Sequence, residues 1–132
     1  MIVLENVPLI ELEKQTINGH TYTQECCLQI IKDIIHKEIH GCVHCVDDDI
    51  NDNICLTITN PYVNVIEHDD GSSSLILFCS VEIDETKCND ILEELKTNPF
   101  RLYPVGQGYS DDNGVITEYE ILSANIEIKK SL

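Results

Sequence analysis

The sequence has 132 residues, 42% of them apolar, with eight basic and twenty-four acidic side chains and a net charge of −16. The length suits one domain, residues 1–132, around one core, and the apolar share excludes a disordered chain. The charge repels phosphate backbones, which argues against direct nucleic-acid binding, and no apolar run approaches the ~20 residues of a membrane-spanning helix.

The same charge fits either a protein kept apart from its neighbours by like charge or one that docks on a basic partner surface. The N-terminus carries Glu5 and no basic stretch, so it does not read as a secretory signal. Seven cysteines without such a signal, an odd number, predict reduced thiols rather than a disulfide framework.

In chain order, Ile2 to Glu5 and Leu9 to Glu13 read as short strands broken by Pro8. Asn18-Gly19 signals a turn. Thr21 with Gln24, or Thr23 alone, supplies the cap of a helix expected from about Gln24 to His40. Its predicted inner stripe is Leu28, Ile31, Ile35 and Ile39, widened by Cys27, Ile30 and Ile34. Lys32, Asp33, Lys37 and Glu38 are assigned to solvent, and Gly41 to a left-handed cap.

Cys42 to Val46 reads as a strand, and Asp47 to Asn53 as an acidic loop. Ile54 to Thr59 and Tyr62 to Glu67 read as strands separated by Asn60-Pro61. Asp69-Asp70-Gly71 reads as a hairpin turn leading to a central return strand, Leu75 to Ile83. Glu85 to Thr97 is the second predicted helix, with Cys88, Ile91, Leu92 and Leu95 inward and a stop before Pro99. Phe100 to Tyr103 opens a strand, and Gly106 and Gly108 allow a bulge or a close approach. Asp112-Asn113-Gly114 turns into a long closing strand from Val115. The predicted fold class is α+β: a compact, mostly antiparallel sheet or barrel with two helices packed on it.

Metal chemistry has two candidate clusters. His36, His40, Cys42, His44 and Cys45 crowd together, but zinc wants four converging ligands, usually as two separated pairs, and no second pair stands elsewhere. Asp47, Asp48, Asp49, Asn51 and Asp52 lack the glycine and terminal glutamate of a calcium loop. No metal and no cofactor is therefore assigned, and no phosphate loop, dinucleotide fingerprint or nucleophile elbow is present.

An ordered set of motifs resembles the prohead (capsid-maturation) proteases of tailed phages. Asn18-Gly19-His20-Thr21-Tyr22 is similar to the run before that family's first helix. Gly41-Cys42-Val43-His44 resembles the step that carries its catalytic histidine. The paired strands around Asp69-Asp70-Gly71, the helix from Asp84 to Pro99, the run Leu102 to Gly108 and the strand Gly114 to Ile126 follow in the family's order. The resemblance covers about three quarters of the chain. It implies a histidine at His44, a nucleophile at Tyr103 or Pro104, and an acidic group at Asn125. Tyr103 stands where the family has serine and Asn125 where it has an acid, so the catalytic positions read as degenerate.

The implied function is non-enzymatic: an auxiliary or decoration capsid protein of a bacteriophage, a pseudoenzyme made in the host cytoplasm and carried in the virion. Its expected partner is the major capsid protein or another head protein, engaged by many copies. Two alternatives are a divergent active protease using His44 with Ser110, Ser123 or a cysteine, and an acidic inhibitor of a host nucleic-acid-binding defence protein.

Overall fold

Two four-stranded sheets enclose the core of the computed structural model, which describes residues 1–46 and 53–129. In chain order the elements are β1 (Ile2–Leu12), β2 (Thr21–Tyr22), α1 (Gln24–His36), β3 (Ile39–Gly41), β4 (Val43–Cys45), β5 (Leu56–Glu67) and β6 (Ser73–Ile83). A single 3-10 turn (Asn89–Ile91), α2 (Leu92–Thr97), β7 (Phe100–Ser110) and β8 (Val115–Ile128) complete them. The fold is α+β and mostly antiparallel, with two helices, as the residues predict.

The first sheet has the order β1-β6-β5-β3 and is antiparallel throughout. In the second, β8 pairs antiparallel with β7 along one side and parallel with β2 and β4 along the other. The chain passes between the sheets at Cys42, with β3 in one and β4 in the other.

Pro8 and Pro61 do not end strands. β1 and β5 run straight through them, with irregular pairing between Pro8 and Ile10 and between Thr59 and Tyr62. β1 is a sheet edge, and β5 lacks a second partner beyond Ile58, so the missing proline N–H costs no ladder bond in either case. Asn60 absorbs its irregularity with φ 51°. β6 is central as read, with Leu77, Cys79, Val81 and Ile83 fully buried.

The first helix keeps the predicted period but not the predicted phase. Its buried residues are Cys26, Cys27, Ile30, Asp33 and Ile34, whereas Leu28 and Ile35 are 62% and 61% exposed and Ile31 is half-buried. Asp33 tolerates burial because Gln29 Nε2 donates to its Oδ1 at 3.1 Å and Lys37 Nζ lies 3.5 Å away. Thr23 caps the helix alone, accepting from Cys26 N–H, while the Gln24 N–H goes to Glu13. The helix ends at His36 rather than His40, because Ile39 to Gly41 pair with Leu56 to Ile58.

Gly41 is consequently a strand residue and not a left-handed cap. A side chain there would meet the Ala124 carbonyl oxygen at 1.5 Å, so the glycine permits the approach of β8 to β3. The second predicted helix is shorter than read. Asp84 holds both the N–H and the hydroxyl of Thr86 in a local turn, and helix resumes only at Leu92. Cys88, Leu92 and Leu95 do face the core. β7 is continuous through both glycines, with a shift between Val105 and Gly106 where the backbone meets the Tyr119 ring.

Candidate functional site

β4, β7 and β8 lie side by side, and their register lines up a polar row. Tyr103 pairs with Asn125, Arg101 with Glu127, and His44 with Glu127 from the other side. Residues two apart on a strand share a face, so Tyr103 and Arg101 lie with Asn125, Glu127 and His44 on one side of the sheet. Leu102, Ile126 and Ile128 point the other way, into the core.

The three positions that the resemblance implies meet here. His44 Nε2 lies 2.8 Å from the Tyr103 hydroxyl, and Asn125 Nδ2 donates to that hydroxyl at 3.4 Å. Their rings are edge-on, with centroids 5.9 Å apart. Asn125 Oδ1 accepts from the Cys42 N–H at 2.9 Å and from the Cys42 thiol at 3.5 Å. His44 and Asn125 are buried, and Tyr103 is half-buried.

Donor chemistry fixes a direction along this chain. His44 Nδ1 faces the Cys45 carbonyl at 3.0 Å, and a carbonyl only accepts, so Nδ1 carries the proton. In the Nδ1–H tautomer Nε2 is an acceptor, and the Tyr103 hydroxyl donates to it. Tyr103 accepts in turn from Asn125, and Asn125 accepts from Cys42. The Tyr103 hydroxyl is thus committed as donor to His44 and as acceptor from Asn125, and the Asn125 amide as donor to Tyr103 and as acceptor from Cys42. The Tyr103 hydroxyl stands a full ring's length from the strand, whereas a serine would hold its oxygen beside the backbone. Arg101 lies over the Tyr103 ring, 5.1 Å from its centre, and pairs with Glu127 at 3.1 Å.

The same residues close the seam between the sheets. Cys42 is the crossover residue: its N–H goes to Asn125, and its carbonyl accepts from Ile126 N–H at 3.0 Å. Two residues away, the Ser123 hydroxyl donates to the His40 carbonyl at 2.7 Å. Gly41 lies against Ala124 between these bonds. The Cys42 to Asn125 bond has no sequence signal, because a backbone donor carries no residue type.

The other suggested groups fall elsewhere. Ser110 ends β7 opposite Ile116, seven positions from Tyr103 and so roughly 23 Å along the strand. Ser123 is committed as a donor to His40. Cys45 is buried in the core. The suggested zinc ligands diverge: His40 contacts Thr57 and Glu38, while His44 contacts Tyr103. Among the described residues no three His, Cys, Asp or Glu side chains are grouped to hold a metal. The acidic run Asp47 to Asp52 suggested for calcium lies outside the described residues. No helix among them is long and apolar enough to cross a membrane.

Comparison with family models, with curated proteins and with solved structures finds no match to this chain.

Proposed function

We propose that this protein is a non-enzymatic structural component of a phage particle. In this reading it is an auxiliary capsid protein on a degenerate prohead-protease-like scaffold, docked on the major capsid protein in many copies. One observation carries the reading: His44, Tyr103 and Asn125, drawn from distant parts of the chain, join one hydrogen-bonded row. In an acyl-transfer site a nucleophile faces the histidine and a carboxylate orients it. Here a phenol faces the histidine, whose Nδ1 is oriented by a carbonyl, and an amide fills the remaining place.

Asn125 and Ser123 also fasten the seam between the sheets, a use that keeps the scaffold stable without chemistry. The charge of −16 suits docking on a basic shell surface, and rising salt should weaken that contact. The test is mass spectrometry of purified mature particles with stoichiometry. Copies in fixed ratio to the shell protein are expected. Absence from particles, with a salt-released host protein bound instead, overturns the reading in favour of the inhibitor.

A further inference from the structure

β5 runs on past its pairing with β3 to Glu67, with β6 on its other side and β1 beyond β6 as far as Leu75. Every residue from Tyr62 to Glu67 is exposed, including Val63, Val65 and Ile66. β3 pairs with β5 only at Leu56 to Ile58, and β6 occupies the other side. Among the described residues, one edge of β5 from Thr59 to Glu67 therefore has no strand partner.

Exposed edges are ordinarily blunted by charge, because a row of unpaired N–H and C=O groups templates another strand. This edge is not. The chain has twenty-four acidic residues, yet none falls within Asn53 to Ile66 or Gly71 to Val81, and neither does any basic one. The strand instead carries Thr, Tyr, Val and Ile, the residues that favour pairing. The Val65 N–H is met by the Asn64 side chain at 2.9 Å rather than by a strand. Antiparallel alternation then sets Val63, Val65 and Glu67 as the outward-bonding positions.

We propose that this edge pairs with the same edge of a second copy of this chain, antiparallel about a two-fold axis at Asn64. That register sets Val63 against Val65 of the second copy, Asn64 against its own equivalent, and Glu67 against Pro61. No carboxylate faces a carboxylate, so the edge is compatible with itself as a two-fold interface requires. The first sheets of the two copies, four strands each, become continuous. Elsewhere two surfaces of −16 repel, so the uncharged strip is where copies can meet. Salt screens that repulsion and tightens the pair, the reverse of its effect on docking to a basic shell. The inference stands apart from the capsid reading, since a dimer can form whether or not the particle contains it.

Sedimentation equilibrium of the full chain at low and high salt tests it. A monomer–dimer equilibrium that tightens with salt is expected. Val65→Lys should be monomeric where the unaltered chain is dimeric, with an unchanged circular dichroism spectrum, and Leu28→Lys on the exposed helix face should behave as the unaltered chain. The seven native cysteines are all buried, so Asn64→Cys adds an exposed thiol at the axis. It should cross-link to a covalent dimer with oxidised glutathione, which Val65→Lys in the same chain abolishes. A monomer at every concentration, a dimer that Val65→Lys leaves intact, or no cross-link through position 64 overturns the proposal.

Discussion

Asn125→Leu separates a structural seam from a catalytic remnant. The substitution keeps side-chain bulk but takes away the oxygen that receives the Cys42 N–H at 2.9 Å and the amide that donates to Tyr103 at 3.4 Å. Removing the acceptor of a buried backbone donor costs about 1–3 kcal/mol, and the longer second bond adds at most about 0.5–1.5 kcal/mol. The expected loss is therefore about 1.5–4.5 kcal/mol. Tyr103→Phe removes the hydroxyl that faces the buried His44 Nε2 at 2.8 Å, but Tyr103 is half-buried and water can take that place, so about 1 kcal/mol is expected. Urea unfolding followed by circular dichroism reads both, and the double mutant reads their coupling. The coupling should be small, because 3.4 Å is a long bond. If Tyr103→Phe costs as much as Asn125→Leu, or if Asn125→Leu costs under about 0.5 kcal/mol, the seam account fails.

Other positions give sharp contrasts. Ile30→Ala in the fully buried stripe should cost about 2–5 kcal/mol, while Leu28→Ala on the exposed face should stay within about 0.5 kcal/mol; equal unfolding midpoints would mean the helix is rotated. Gly41→Ala would drive a methyl into the Ala124 backbone and should abolish soluble folding; a loss near 1 kcal/mol in the expressed protein would instead restore the helix-cap reading. Burial pushes the Cys27 thiol up to about 11 and the Cys55 and Cys79 thiols up to about 12, from 9.0. Above about pH 9 the unfolded chain then releases protons that the folded chain keeps, so stability should be level below about pH 8 and fall by ~1.4 kcal/mol per pH unit per thiol above 9; a flat urea midpoint to pH 10.5 contradicts that burial.

Much of this fold is legible in the residues, and the misreadings share a cause. The Thr23 cap, the turns at Gly71 and Gly114 and the central strand ending at Ile83 rest on local chemistry, and they stand where the sequence sets them. The helix phase does not, because Ile31 and Ile35 fit a 3.6-residue stripe as well as Ile30 and Ile34 do. Only the approach of β5 and β8 selects the stripe, and Lys37 makes the buried Asp33 tolerable. Residues 39–41 extend a helical pattern, but strand pairing takes them instead. Pro8 and Pro61 look like breaks until the sheet order leaves one side of each strand unpaired at the proline. Of the site, His44, Tyr103 and Asn125 are legible through resemblance alone. The seam that Cys42, Ser123 and Gly41 build around them depends on backbone groups, which no residue type announces.

Co-expression with the candidate shell protein tests the central claim most directly, with unaltered chain, His44→Ala and Tyr103→Ser compared for precursor cleavage and for binding. A working site of this kind loses several orders of magnitude when its histidine is removed. No cleavage by any of the three and undiminished binding by His44→Ala are expected, because a phenol faces the histidine in the unaltered chain and position 125 is an amide, not a carboxylate, in all three. Cleavage by the unaltered chain that disappears in His44→Ala would contradict it and make this protein a protease.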